Sequence, residues 1–224
     1  MINKELQKRI LSSIILIPIV IFFILQENIL FVFFLSILFV VSSYEWINLN
    51  KNKIIKVIGI FYLFFVFYIA YLLREKLSIK IFIFILIICI FTDLGGFIFG
   101  KIFKGPRLTK ISPKKTYAGV VGSFILSLVT ASIYVKLTVI GDTNNLNFSI
   151  WSSNNFLSDN MFFLFILFIS LISQVGDLII SYFKRSAKVK DTGNLLPGHG
   201  GLLDRIDGII FAIPISYLLL TYFK

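Results

Sequence analysis

The sequence holds one cysteine, Cys89, and one histidine, His199, among its 224 residues. A lone cysteine excludes an intramolecular disulfide. Together the two leave too few nitrogen and sulfur ligands for a zinc site. Charge is scarce as well. Asp, Glu, Lys and Arg make up 15% of the chain, against about 25% in an ordinary soluble domain. No polar stretch is long enough for a soluble domain, and neither a heptad array nor an internal repeat is present.

Apolar residues fill the chain instead, at 58%, above the roughly 45–50% of soluble proteins. Runs of about 17–20 apolar residues recur, the length a helix needs to cross about 30 Å of hydrocarbon. They fall at about 10–26, 29–47, 54–73, 79–100, 116–140, 160–183 and 206–223. These runs are too long for strands and lack the alternation of an outer-membrane barrel. The expected fold is all-α, a polytopic integral membrane protein of about seven transmembrane helices. Lys4, Lys8 and Arg9 precede the first run, but no small-residue cleavage site follows it, so a retained first helix is expected. Residues 1–78 read as a transmembrane scaffold, with Tyr44 and Trp46 as interfacial aromatics. From 79 to 224, glycines and charges enter or flank the spans, and this part is expected to carry the chemistry. The Asn- and Ser-rich stretch 141–159 reads as a solvated connection on the outer side.

The formal charge of +11 raises the question of nucleic acid. The cations, however, are sorted by loop. With the amino terminus inside, inner segments hold 17 of the 22 Lys and Arg residues. That asymmetry is the positive-inside pattern and predicts a cytoplasmic amino terminus. No nucleic acid partner is implied. Topology does not explain why two inner segments, Lys101 to Lys115 and Lys184 to Arg205, hold 11 of those 17.

Four carboxylates gather near one predicted depth. Asp93 and Asp177 sit about six or seven residues before the inner ends of the fourth and sixth runs, about 9–10 Å at 1.5 Å per residue. Asp204 and Asp207 lie where the seventh run leaves the inner side, at a spacing that shares one helix face. An ionised Asp at such a depth is costly unless it faces protein, water or a cation. Interhelical hydrogen bonds, or a salt bridge to a snorkelling lysine, would account for any one of them. For Asp204 and Asp207, so would the positive end of a helix. As a set they suit Mg²⁺, which takes one or two carboxylates and shares its other positions with water and phosphates.

Cations stand where a helix disfavours them. Ser112-Pro113-Lys114-Lys115-Thr116 reads as the opening of the fifth run, with Ser112 as cap and Pro113 in the first position. Two lysines at that positive end make sense if phosphate sits before them, although positive-inside bias would also place them there. Gly96 and Gly100 carry a spacing that marks close helix packing, and beside Asp93 it would also let a bulky ligand approach. The segment 184–207 combines Lys184, Arg185, Lys188 and Lys190 with Gly193, Gly198, Gly200 and Gly201 around His199. Such a loop could face anionic lipid headgroups. Its glycines also permit unusual backbone angles close to a ligand, and His199 offers an acid–base group near neutral pH.

These residues carry a resemblance. Ser181 to Asp207 reads Ser-Tyr-Phe-Lys-Arg, Lys190-Asp191-Thr-Gly193, Pro197-Gly-His199-Gly-Gly201 and Asp204-Arg205-Ile-Asp207. That is similar to the signature of the phosphatidate cytidylyltransferase (CDP-diacylglycerol synthase) family at every fixed position. Asp93 to Gly100, Ile111 to Thr116 with Gly119, and Gln174-Val-Gly-Asp177 also resemble the family. The resemblance covers about residues 90–210, and the chain looks short for the bacterial family by one or two amino-terminal spans. It implies a Mg²⁺-dependent enzyme, with a second cation allowed, that joins CTP and phosphatidate into CDP-diacylglycerol and pyrophosphate. The site would face the cytoplasm from the cell (inner) membrane, among membrane lipid, and a homodimer is allowed. It implies Asp177 and Asp204 as principal Mg²⁺ ligands, with Asp207 and Asp93 beside them. Lys114, Lys115, Lys184, Arg185 and Lys190 would hold phosphates. Asp191, His199 and Arg205 would orient the loop or the substrates, and Ser112, Thr116, Gly96, Gly200 and Gly201 would line them.

Two rival readings predict other patterns. A transporter would carry polar residues at several depths, yet the outer halves of the runs are almost wholly apolar. A CDP-alcohol phosphotransferase would need Asp-Gly-x-x-Ala-Arg, whereas Asp207-Gly208 is followed by Ile-Ile-Phe.

Overall fold

The computed structural model describes residues 4–26, 29–109, 112–141, 159–196, 198 and 200–222. The connection at 142–158 and His199 lie outside the described residues. Helices follow one another as α1 (Lys4–Leu25), α2 (Ile29–Leu49), α3 (Lys53–Leu72), α4 (Ile79–Phe103), α5 (Tyr117–Gly141), α6 (Asp159–Ser186), α7 (Leu203–Ile206) and α8 (Ile209–Tyr222). A π-helical turn, Leu73–Leu77, extends α3. Two isolated bridges are the only β pairings among the described residues. The chain is an all-α, polytopic membrane protein. Among the described residues, five helical stretches are long and apolar enough to cross a membrane: Ile29–Leu49, Lys53–Leu77, Ile79–Phe103, Tyr117–Thr138 and Asn160–Ser186. The other two expected runs correspond to shorter apolar helices, Ser12–Leu25 within α1 and α8.

The chain divides into two compact units, Met1–Tyr71 with Tyr182–Asp207, and Leu72–Ser181 with Gly208–Lys224. The boundary falls inside α6. In the first unit, α2 and α3 bury Phe31, Leu63 and Val66, while Phe39 meets Phe64 edge-on at 5.9 Å. Their other faces expose Phe33, Phe61 and Phe64, as helices surrounded by lipid tails should. Trp46 departs from expectation. It is buried, donates from Nε1 to the carbonyl of Ile55 at 3.1 Å and packs edge-on to Phe183 at 4.9 Å. Gly59 supplies the room, since a side chain there would collide with the indole. Trp46 is thus a core residue, and Tyr44, which is exposed, is the aromatic left at the surface.

In the second unit, α4 runs along α5. Lipid tails are as apolar as the side chains, so helices in a bilayer are held by close packing and hydrogen bonds. Both are present. A Cβ at Gly95 would come 2.5 Å from the Gly122 carbonyl oxygen, and one at Gly119 would come 2.8 Å from that of Gly96. The backbones approach this closely because those positions are glycine. Ser123 Oγ donates to the Thr92 carbonyl at 2.7 Å, Tyr134 OH to that of Lys80 at 3.0 Å, and Thr92 Oγ1 to Ser170 Oγ on α6 at 2.8 Å. Each such bond contributes about 0.6 kcal/mol in a membrane. Phe84 stacks with Phe162 at 6.1 Å and Phe165 at 6.4 Å.

Candidate active site

The start of α5 differs from the sequence expectation. Ser112 is not its cap. The helix begins at Tyr117, and Thr116 Oγ1 accepts from the Gly119 amide at 3.1 Å, as an N-cap does three residues ahead. Residues 112–115 instead form a turn closed by Lys115 N to the Ser112 carbonyl at 3.1 Å. Leu108 N donates to the Lys115 carbonyl at 2.8 Å and ties this turn to the incoming strand of chain. The bridge that pairs 107 with 116 keeps 112–116 out of the helix and leaves the cap to Thr116.

Lys114 and Lys115 therefore stand just before α5, still at its positive end. Lys115 Nζ lies 2.7 Å from Asp177 Oδ2 and donates to the Gln174 carbonyl at 3.3 Å. Asp177 Oδ1 accepts from Ser181 Oγ, one helical turn on, at 3.2 Å. The carboxylate explains how a lysine is tolerated there. Both side chains remain about one quarter exposed.

They open onto a cavity of about 260 Å³. Among its walls are Asp93 and Gly96 from α4, Ser112, Lys114 and Lys115 from the turn, Thr116 at the cap of α5, and Asp177 from α6. Gln174 lines it too, and its Nε2 is buried without a hydrogen-bond partner. Two carboxylates and two ammoniums thus share one concave space. Gly96 does double duty: it borders the cavity, and a Cβ there would sit 2.9 Å from Ser123 Oγ.

The segment after α6 forms a second cluster, in the first unit. Asp204 is its hub. Its Oδ1 is 2.7 Å from Lys184 Nζ, with both side chains at most 10% exposed. Its Oδ2 accepts from Thr192 N at 2.8 Å, Thr192 Oγ1 at 3.1 Å and Gly201 N at 3.0 Å. Gly200 adopts φ +87° and lies against Asp204 and Asp191, so a side chain there would be strained as well as crowded. Leu196 N donates to the Gly200 carbonyl at 2.9 Å. Arg185 is exposed and donates to the Val189 carbonyl at 3.1 Å. Lys190, Asp191 and Arg205 are exposed, while Asp207 is buried at the end of α7.

Sequence reasoning passed over Glu45. It is the one acid within α2, 3% exposed, and it accepts from Leu202 N at 2.8 Å, Leu203 N at 2.8 Å and Thr192 Oγ1 at 2.9 Å. A lone carboxylate in an apolar span is by default a functional candidate, and that signal was in the sequence.

The two clusters differ in their fit to Mg²⁺. Asp177 uses one oxygen on Lys115 and the other on a hydroxyl, beside Asp93 in an open cavity, which suits a hard cation completed by water and phosphate. Asp204 already takes three donors, Lys184 Nζ, Thr192 N and Gly201 N, and shares the Thr192 hydroxyl with Glu45, close to the capacity of a carboxylate. It fits a cation only if Lys184 gives way. Among the described residues, no group of three or more His, Cys, Asp or Glu side chains is arranged to hold a metal.

A sequence model of the Cytidylyltransferase family matches residues 52–223. A phosphatidate cytidylyltransferase of Rickettsia conorii is 34% identical over 225 residues, covering 98% of this chain and 93% of that protein. Its counterpart in Rickettsia felis is 34% identical over 97% of this chain and 93% of its own. The phosphatidate cytidylyltransferase of Bacillus subtilis is 37% identical over 134 residues, 59% of this chain but 44% of that longer protein.

Proposed function

The chain belongs to the cytidylyltransferase family, and from that membership we propose that it is a phosphatidate cytidylyltransferase. The observation that carries the proposal is the cavity in which Lys114 and Lys115 face Asp93 and Asp177. A lipid phosphate and a nucleoside triphosphate are both anions, and a site that joins them must supply cations without drowning them in water. A phosphate oxygen of phosphatidate attacks the α-phosphorus of CTP. The bond from that phosphorus to the bridging oxygen breaks, and pyrophosphate leaves. No general base is needed, since the attacking phosphate is already ionised near neutral pH. Catalysis is then positioning together with neutralisation of charge.

Lys115 is held ready by Asp177. An arriving phosphate would take up the ammonium, and Asp177, with Asp93 beside it, would then be free of the lysine and could hold Mg²⁺. Bound there, the ion would neutralise phosphate oxygens and the charge that builds on pyrophosphate. By the resemblance Asp204 and Asp207 would also be metal ligands, a second cation is allowed, and Lys184, Arg185 and Lys190 would hold phosphates. Asp191, His199 and Arg205 orient the loop, and Ser112, Thr116, Gly96, Gly200 and Gly201 border the substrates. In this reading the chain spans the cell membrane seven times, with its amino terminus and its site on the cytoplasmic side. Residues 1–78 are the scaffold and any dimer surface, and residues 79–224 hold the catalytic helices.

The test uses the purified chain with labelled CTP and Mg²⁺, given phosphatidate or diacylglycerol. Label entering lipid with phosphatidate alone, and lost on chelation of Mg²⁺, supports the assignment. Label entering with diacylglycerol, or with neither lipid, removes it.

A further inference from the structure

Glu45 stands ahead of the residues that the family model matches, 52–223, and belongs to a helix that otherwise reads as scaffold. Its burial calls for an explanation. A carboxylate at 3% exposure is costly unless its oxygens are fully engaged. They are: Oε1 accepts from Leu202 N, and Oε2 from Leu203 N and Thr192 Oγ1. The loop is shaped around this carboxylate. A Cβ on Gly193 would come 2.8 Å from Oε1, and one on Gly201 would come 2.5 Å from Oε2. Two of the glycines that the sequence offers as ligand-approach positions are thus, in the structure, places where the loop backbone meets Glu45.

Thr192 links Glu45 to Asp204. Its hydroxyl lies 2.9 Å from Glu45 Oε2 and 3.1 Å from Asp204 Oδ2. A hydroxyl has one proton, so it donates to only one of the two carboxylates at a time. The remaining contact is between oxygens and is tolerated because Lys184 and the loop amides surround Asp204 with positive partners. We infer that Glu45 is a positioning residue for the transfer reaction, holding the 192–203 loop so that Thr192 and Gly201 fix Asp204 against Lys184. The amino-terminal helices then serve the chemistry directly, through one side chain. The inference rests on the activity proposed above.

The experiment compares the full-length chain with Glu45→Gln, Thr192→Val and Thr192→Ser in detergent micelles with phosphatidate. It records kcat, KM for CTP and amide hydrogen exchange. Glutamine keeps one acceptor oxygen but turns an NH₂ toward donors. A misplaced Asp204 should lower kcat about 10- to 100-fold, with KM for CTP changed less than about twofold. Amides from 192 to 203 should exchange faster, and those of α4 and α5 as before. Thr192→Val should lose kcat in the same direction, and Thr192→Ser should restore it. Unchanged kcat in Glu45→Gln overturns the inference, as does faster exchange spread equally over α4 and α5. If Glu45→Gln does not accumulate, the threonine pair decides, and equal kcat in Thr192→Val and Thr192→Ser overturns it. If the wild-type chain makes no CDP-diacylglycerol, the activity reading fails by itself. The loop clamp is then judged by exchange alone, which must rise at 192–203 and nowhere else.

Discussion

Lys115 Nζ lies 2.7 Å from Asp177 Oδ2, so a cation before one helix is matched to an acid well inside another. The pair is about one quarter exposed on each side and opens onto the cavity, so its net worth to stability is small. Its value is in placing both groups. Asp177→Asn keeps the shape and removes the charge. The variant should accumulate in the membrane with a thermal midpoint close to wild type, while CDP-diacylglycerol synthesis falls at least about 100-fold. Near-normal turnover, measured with labelled CTP, would remove Asp177 from the metal.

Lys115→Ala tests the other half. A charge-assisted hydrogen bond to phosphate contributes about 1.5–3 kcal/mol, or roughly 10- to 100-fold in kcat/KM. The loss should fall mainly on substrate use, as a raised KM for CTP or phosphatidate. Steady-state kinetics at varied concentrations of each would show which. Unchanged dependence on both would mean that no phosphate rests at this turn.

The α4–α5 seam makes a structural prediction that leaves the chemistry aside. A Cβ at Gly95 meets the Gly122 carbonyl oxygen at 2.5 Å, and backbone cannot swing aside as a flexible side chain can. Gly95→Ala should therefore cost about 1–3 kcal/mol, as overpacking does. A lowered midpoint in a micelle-based thermal unfolding assay would report it. The molecules that fold should keep a near-normal KM for CTP. A midpoint equal to wild type would mean that the helices separate there without cost.

What the sequence makes legible follows from the range of the interactions involved. Spans such as Ile79–Phe103 and Tyr117–Thr138 stand out because hydropathy over some 20 neighbouring residues decides them. Asp93, Lys114, Lys115 and Asp177 stand out because charge in an apolar chain demands a partner, and the structure sets all four around one cavity. The partners themselves are not legible. Nothing near Glu45 in sequence announces that it accepts from residues 192, 202 and 203. Trp46 looks interfacial by position, and its bond to Ile55 and its packing on Phe183 make it core. Ser112 reads as the cap of α5, and a hydrogen bond from Leu108, which no local pattern announces, passes that role to Thr116.

Asp204 and Lys184 carry the last prediction, because this ion pair is buried. Each side chain is at most 10% exposed, and the atoms are 2.7 Å apart. Removing one member of such a pair leaves an uncompensated charge, at about 3–5 kcal/mol. Asp204→Asn strands the ammonium and also places an NH₂ either against Lys184 or against the donors at Thr192 and Gly201. It should lose both synthesis and stability, unlike Asp177→Asn. Lys184→Met strands the carboxylate, which still has two amide donors on Oδ2 and a share of the Thr192 hydroxyl, so its stability loss should be the smaller. The double variant removes both charges and should be less destabilised than the sum of the two, by about 0.5–3 kcal/mol. Unfolding midpoints of the three variants and the wild type, taken under one condition, measure that difference. Simple additivity would mean that Lys184 and Asp204 are neighbours without being partners.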